Sequence, residues 1–210
     1  MSAAIDFYFD FSSPYGYLMA EKIDALAARY ERTVIWHPIL LGIVFKSTGS
    51  APLTLQNPAK ATYSLLDFER SARFMGIPYR QPSHFPLPTQ NAARAFYWLA
   101  EQDVGLAKQF AHAIFRALFV DDRDISAPET VLEIGTKMAV DRARKEDFLT
   151  GKTLEKALQD PAIKARLKEE VDTALKIGVF GSPHVIIDGE AFFGADRLPQ
   201  IEKWLASDGF

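Results

Sequence analysis

The sequence of 210 residues contains no cysteine. This absence excludes disulfide bonds, thiolate metal sites and redox chemistry of the Cys-x-x-Cys type. It also agrees with a reducing compartment, and we expect a cytoplasmic protein because the first residues lack the basic segment and apolar core of a secretory signal. If the chain handles a thiolate, the sulfur must arrive on a ligand.

An excess of basic charge and long apolar segments are absent as well. The formal net charge is −3, with acidic and basic residues interspersed, so the sequence gives no indication of a nucleic-acid partner. The longest apolar run, Pro38–Phe45, is far too short to span a bilayer, and no membrane partner is expected. The four histidines show no metal-ligand spacing, and neither a G-x-S-x-G elbow nor a glycine-rich phosphate loop is present.

The N-terminal segment has the pattern of a strand, a helix and a second strand. The run Ile5–Phe11 predicts a strand, and Ser12-Ser13-Pro14 follows it directly. Ser13 is typical of a helix N-cap and Pro14 of a first helical residue. Thr33–Trp36 predicts a second strand, which completes a βαβ unit with parallel strands.

Ser13 is predicted to lie where backbone N–H groups and the positive end of a helix dipole favour an anion. In thioredoxin-like Cys-Pro-x-Cys proteins the same position carries the reactive cysteine, and this environment lowers the pKa of its thiol. The alternative is that Ser13 only caps its helix.

The C-terminal segment predicts two further strands and a helix. Pro183–Ile187 and Ala191–Phe193 flank Asp188-Gly189, a pair typical of a two-residue hairpin turn, and a last helix follows from Arg197. Between the two ends lie helical patterns at 58–75, 89–102, 106–119, from 126 and at 160–178. The fold class is therefore α/β: a thioredoxin-like βαβ…ββα fold formed by 1–45 and 179–210, with a mainly helical insertion at 46–178.

Two loops of the C-terminal segment carry candidate ligand groups. Ser182-Pro183 enters a strand and is a candidate cis peptide, which would turn the backbone N–H and C=O of Ser182 outward toward an extended ligand. The alternative is an ordinary trans turn. Asp196 is expected to cap the last helix, and it can also bind a ligand ammonium group while nearby N–H groups bind a carboxylate. That pairing suits the α-amino acid end of a γ-glutamyl group.

Three motifs together resemble the 2-hydroxychromene-2-carboxylate isomerase family. They are Phe9–Tyr15, Val179–Pro183 and Phe193–Arg197, and 60–78 between them is also similar to the family. The resemblance covers nearly the whole chain, in the same order and with the helical insertion in the same place. This family is close to kappa-class glutathione transferases and related to DsbA-type oxidoreductases of the thioredoxin fold.

The resemblance implies a glutathione-dependent isomerase of aromatic catabolism that gives trans-o-hydroxybenzylidenepyruvate-type products. It implies that Ser13 is the catalytic residue and donates a hydrogen bond to the glutathione sulfur. Ser182, before a cis Pro183, would pair with the cysteinyl backbone. Gly194, Ala195 and Asp196 would hold the γ-glutamyl end. A hydroxyl donor at a helix N-terminus is suited to stabilising a thiolate.

The substrate side of the expected site is less closely matched. An aromatic carboxylate needs an apolar cleft and a cationic or amide group, and Phe45, Lys46, Asn57 and the His84-Phe85 loop are candidates. Here the sequence departs from the family, which carries an asparagine near Thr54. A kappa-like glutathione transferase or peroxidase and a non-enzymatic binding module are the alternative functions. Relatives suggest a homodimer.

Overall fold

The computed structural model describes residues 4–141 and 151–210. Four strands form one sheet in the order β2-β1-β3-β4: β1 (Ile5–Phe9), β2 (Val34–Pro38), β3 (His184–Ile187) and β4 (Glu190–Phe193). Strand β1 is parallel to β2 and antiparallel to β3, and β3 and β4 form an antiparallel hairpin. The predicted βαβ unit and hairpin are therefore confirmed, and the two ends of the chain share one sheet.

Helices surround this sheet. Their bounds are α1 (Pro14–Ala28), α2 (Leu41–Thr48), α3 (Pro58–Met75), α4 (Gln90–Gln102), α5 (Val104–Phe119), α6 (Pro128–Asp141), α7 (Gly151–Gln159), α8 (Pro161–Lys176) and α9 (Leu198–Ser207). In the described part of the chain, 3-10 turns lie at Leu53–Leu55 and Ala195–Arg197. Within 4–141 and 151–210, none of the helices combines the length and the apolar character needed to cross a membrane.

Helix α2 was not predicted from the sequence, and its start shows why. Its N-cap residue, Leu40, offers no side-chain oxygen. The carboxylate of Asp10, thirty-one positions earlier at the end of β1, accepts the Leu41 N–H at 2.7 Å instead. The proposed division of the chain after residue 45 falls inside this helix, and a separate helical insertion stays a prediction.

Among the described residues, one hydrophobic core connects the sheet with the helices between β2 and β3. Phe7, Phe9 and Phe11 of the β1 segment are fully buried. The Phe9 ring lies 5.4 Å from Trp36 of β2 and 5.5 Å from Phe115 of α5, measured between ring centroids. Burying each such phenylalanine contributes about 1.5–3 kcal/mol. The end of β1, from which the site is built, is thus packed against β2 and α5 on this face of the sheet.

Candidate functional site

Ser13 lies at the junction between β1 and α1 and caps the helix as predicted. Its Oγ accepts the Gly16 N–H at 3.0 Å, and Pro14 is the first helical residue. The same hydroxyl donates to the backbone carbonyl of Ser182, also at 3.0 Å. Only 5% of Ser13 is exposed. The Ser13 hydroxyl hydrogen is therefore aimed at the loop that the sequence identified as the second half of the site.

The Ser182-Pro183 peptide bond is cis. The expectation that the Ser182 carbonyl faces outward is wrong, because the carbonyl accepts the Ser13 hydroxyl. Within the described part of the chain, the Ser182 N–H has no acceptor. The Ser182 hydroxyl accepts the backbone N–H of Asp10 at 3.1 Å. Pro183 lies behind the cleft surface, where its carbonyl accepts the Gly194 N–H at 3.1 Å.

Gly16 is the point of closest packing between α1 and the Ser182 loop. A Cβ atom at this position would lie 2.8 Å from the Ser182 Oγ and 3.1 Å from the Ser13 Cβ. Contacts under 3.0 Å are essentially never seen for real Cβ atoms. The missing side chain is what allows the two serines to meet.

The Gly194–Asp196 segment lies beside this pair and lines the same cleft. Gly194 has φ +106°, a conformation that other residues rarely adopt. The prediction that Asp196 caps the last helix is wrong, since α9 begins at Arg197–Leu198 without a side-chain cap. The Asp196 side chain is 70% exposed and pairs with Arg197 at 2.9 Å. Its carboxylate thus remains at the cleft surface, while Ala195 is buried beneath it.

Asp10 is a site residue to which the sequence assigned no role. Its carboxylate is buried and accepts hydrogen bonds from the Ser12 N–H at 2.7 Å, the Ser12 hydroxyl at 2.8 Å, the Thr89 hydroxyl at 3.0 Å and the Leu41 N–H at 2.7 Å. Burial raises the pKa of Asp10 above its usual range, and these hydrogen bonds oppose the shift. One carboxylate therefore joins the end of β1 to the starts of α2 and α4. An aspartate within an apolar strand pattern is the signal that could have identified it.

Tyr15 and Asp67 form a second hydrogen-bonded pair of polar side chains in the cleft. The Tyr15 hydroxyl donates to Asp67 at 2.5 Å, and Arg70 donates to the other oxygen of the same carboxylate at 3.1 Å. Burial, and then the hydrogen bond to Asp67, raise the pKa of Tyr15 well above its usual range. The phenol therefore keeps its proton at neutral pH and acts as a donor. The resemblance included Tyr15 and Asp67 without giving either a role.

The cleft has a volume of about 1410 Å³ and runs from Ser13 to a wall built by α2, the 3-10 turn at 53–55, α3 and the loop before α4. Phe45 and Phe85, two of the residues expected on the substrate side, line the cleft. Lys46 and Asn57 do not. Lys46 is an exposed residue of α2, and Asn57 uses its side chain to cap α3 by accepting the Lys60 N–H.

An aromatic rim closes the cleft near Ser182. The rings of Phe180 and Phe193 lie 4.6 Å apart, and both line the cleft. His184 is packed behind them, with its ring centroid 5.2 Å from that of Phe180. Burial lowers the pKa of His184, and its Nδ1 has no partner among the described residues. The histidine is therefore neutral and buried in the strand rather than exposed to a ligand.

The fold and the site define a class of protein. A cis-proline loop facing the N-terminus of a helix that follows β1 is the arrangement of the thioredoxin-like fold, and here further helices lie between β2 and β3. The model of the DsbA-like thioredoxin domain matches residues 4–206, and the chain belongs to this family.

Within this family, the chain is similar to two groups of enzymes. The 2-hydroxychromene-2-carboxylate isomerase of Pseudomonas putida is 27% identical over 200 residues, which cover 95% of this chain and 92% of the relative. Glutathione S-transferase kappa 1 of Caenorhabditis elegans is 28% identical over 212 residues, with coverage of 96% and 90%. A solved structure of a 2-hydroxychromene-2-carboxylate isomerase superposes with a TM-score of 0.81 at 25% identity, covering 97% of this chain and 95% of that one. The chain is thus related to both groups of enzymes.

Proposed function

We propose that this protein is a glutathione-dependent isomerase that acts on 2-hydroxychromene-2-carboxylate-type compounds. The observation that carries the proposal is the Ser13 hydroxyl at the N-terminus of α1, at the head of a large cleft in a chain without cysteine. When bound, glutathione supplies the thiolate nucleophile for ring opening and isomerisation. The role of the chain is to hold and ionise that sulfur and to position the electrophile.

The residues around Ser13 fit the parts of a glutathione molecule. The Ser182 N–H lacks an acceptor in the described chain and can pair with a peptide carbonyl, as at the edge of a strand. Gly194 leaves the space beside Asp196 open, because a Cβ there would lie 2.4 Å from the Asp196 Oδ1. The exposed Asp196 carboxylate suits the γ-glutamyl ammonium group. We therefore assign Ser13, Ser182, Gly194, Ala195 and Asp196 to glutathione, with Pro183 shaping the loop behind them.

Ser13 has to exchange partners in this proposal. Its hydroxyl hydrogen points at the Ser182 carbonyl, and it must turn to the sulfur when a thiolate arrives. A hydrogen bond to a charged group contributes about 1.5–3 kcal/mol, against about 0.5–1.5 kcal/mol for an ordinary one. The exchange therefore favours the thiolate form of bound glutathione over its thiol form.

A second candidate function is a kappa-like glutathione transferase. The observation that favours it is the wall opposite Ser13, which is apolar and to which no described side chain contributes a cation. In this function the same sulfur site would act on a neutral electrophile. Phe45 belongs to the electrophile side in both functions.

Turnover assays separate these functions. The isomerase is expected to convert hydroxychromene carboxylate only when glutathione is present, and Ser13→Ala is expected to lose most of this rate. Conjugation of a chloronitroarene without isomerisation would instead assign the transferase function. If neither electrophile reacts and glutathione does not bind at millimolar concentration, both enzyme functions are refuted and a binding module remains.

We also propose a cytoplasmic homodimer. Leu66 on α3 is 56% exposed and lies outside the cleft lining, which supports association because apolar surface left open to water favours burial against a partner. Sedimentation velocity tests this part of the proposal: a single species with the mass of one chain at micromolar concentration would refute it.

A further inference from the structure

His37 of β2 lies between two carboxylates that belong to different elements. Its Nε2 is 2.9 Å from the Asp6 carboxylate of β1, and its Nδ1 is 3.2 Å from the Glu170 carboxylate of α8. The imidazole ring also stacks on the Tyr8 ring, with 4.5 Å between the centroids. The side chain of His37 is 16% exposed and that of Glu170 is 15% exposed. This contact therefore joins α8 to the sheet at a place with little access to water.

The protonation state of His37 decides whether both contacts can be hydrogen bonds. A protonated imidazole donates from both ring nitrogens, whereas a neutral one donates from one nitrogen and carries a lone pair on the other. In the neutral form, one of the two carboxylates therefore faces a lone pair. The contact to Asp6 is the shorter one and joins neighbouring strands. Loss of the proton thus weakens the contact between Glu170 and the sheet.

The groups around His37 do not replace this proton. In the described part of the chain they are Asp6 and Tyr8 of β1, Glu170 and Arg166 of α8, and Tyr97 and Glu101 of α4. Burial raises the pKa of Tyr8 to about 12 and that of Tyr97 well above its usual range, so both phenols stay neutral. Arg166 pairs with Glu170 at 2.8 Å and keeps its charge. The carboxylates of Asp6 and Glu170 are therefore balanced by two cations only while His37 is protonated.

Helix α8 leads directly from Glu170 to the loop that carries Ser182. The helix ends at Lys176, and the Val179 N–H then pairs with the Ala174 carbonyl at 2.9 Å. Val179 is buried, and Ser182 follows three positions later. The placement of the Ser182 loop thus depends on how α8 packs on the sheet.

A second connection to this loop crosses the sheet. Tyr8 is the register partner of His37 on one side and of His184 on the other. His184 directly follows the cis Pro183 and lies 5.2 Å from the Phe180 ring. The ring that stacks on His37 therefore neighbours the strand residue next to the cis-proline.

We infer that His37 is a positioning residue for the glutathione site: when protonated, it holds α8 and the Ser182 loop in the arrangement that binds glutathione. The inference rests on the proposed glutathione site and adds control of that site by pH. Burial alone would lower the pKa of His37, but the hydrogen bonds to Glu170 and Asp6 outweigh it and raise the pKa. Affinity is therefore expected to fall as the pH rises above about 6.5 and through this raised pKa.

S-methylglutathione is the probe for this inference because it has no thiol to ionise. In the original protein, calorimetry is expected to give a Kd about fivefold larger at pH 8 than at pH 6. His37→Gln is expected to lose this ratio. The control His112→Gln also removes a histidine paired with a carboxylate, Glu21 at 2.8 Å, but between α5 and α1, and it should keep the ratio. The same ratio in His37→Gln as in the original protein would overturn the inference.

Glu170→Gln separates control by a proton from structural damage. The amide of the new residue can donate to an unprotonated Nδ1 of His37 while the Nε2–H still donates to Asp6. The variant is therefore expected to bind S-methylglutathione at pH 8 more tightly than the original protein does, by about twofold or more, and with little dependence on pH. Binding that is weaker than in the original protein at both pH values would refute the inference, because it would show a purely structural role.

Amide hydrogen exchange over residues 170–182 tests the same control without a ligand. After correction for the intrinsic effect of pH on exchange, protection is expected to fall from pH 6 to pH 8 in the original protein and to stay constant in Glu170→Gln. If neither glutathione nor S-methylglutathione binds at millimolar concentration, the proposed function fails, and the exchange result decides whether His37 controls the loop. If both peptides bind but neither affinity nor protection depends on His37, only the present inference fails.

Discussion

Gly16→Ala tests the packing of the site most simply. In a helix, replacing glycine by alanine ordinarily stabilises a protein by about 0.5–1 kcal/mol. At Gly16 the new methyl group would lie 2.8 Å from the Ser182 Oγ. Turning that hydroxyl away leaves the buried Asp10 N–H unpaired, at a cost of about 1–3 kcal/mol. The midpoints of these two ranges leave a net destabilisation of about 1 kcal/mol.

The matched control is Gly42→Ala, also near a helix N-terminus. An added Cβ at Gly42 meets nothing within 4 Å. This variant is expected to be as stable as the original protein or slightly more stable. Urea denaturation measures both, and calorimetry with glutathione should show weaker binding for Gly16→Ala. A Gly16→Ala protein with undiminished stability and unchanged glutathione affinity would refute the proposed contact between α1 and the Ser182 loop.

Two further predictions concern buried polar groups. Burial alone would lower the pKa of His37, but hydrogen bonds to Glu170 and Asp6 outweigh it and raise the pKa. The His37 contribution to stability is therefore fully present below about pH 6.5 and is lost as the pH rises through the raised pKa. In His37→Gln this part of the pH dependence of the unfolding free energy should disappear. The same pH profile in His37→Gln as in the original protein would contradict this prediction. Thr89→Val removes one donor from the buried Asp10 carboxylate and is expected to lower the unfolding free energy by about 1–3 kcal/mol, so an unchanged urea midpoint would show that this hydrogen bond is unimportant.

The sequence predicts those parts of the fold that depend on local signals. Ser13-Pro14 identifies the start of α1, and Asp188-Gly189 identifies the hairpin between β3 and β4, where both residues have positive φ as this turn requires. The sequence does not predict α2, because its N-terminus is capped by Asp10 from another part of the chain. An interaction across thirty residues leaves no local pattern.

The site also combines features that have a local sequence signal with features that depend on residues far apart in the chain. Ser13 and Ser182 line the cleft at positions that the sequence marks, a helix N-cap and an X-Pro bond. Asp196 also lines the cleft, but not as the cap of the last helix that the sequence predicts. The hydrogen bond from Ser13 to the Ser182 carbonyl could not be predicted, because it joins residues 169 positions apart. Lys46 and Asn57 are substrate-side candidates by chemical type alone, and the structure places both outside the cleft lining, because chemical type does not determine which way a side chain faces.

Ionisation of the glutathione thiol in the complex tests the central claim most directly. Ultraviolet difference spectra of bound glutathione, recorded against pH, give the pKa of the thiol. Ser13 exchanges an ordinary hydrogen bond of about 0.5–1.5 kcal/mol for a charge-assisted one of about 1.5–3 kcal/mol, and the difference of about 1 kcal/mol corresponds to about one pKa unit. The account predicts a lowered thiol pKa in the original protein, a rise of about that size in Ser13→Ala, and no comparable rise in Ser182→Ala, which also loses a buried hydroxyl. A bound thiol with its ordinary pKa, or the same pKa in Ser13→Ala as in the original protein, would contradict the account.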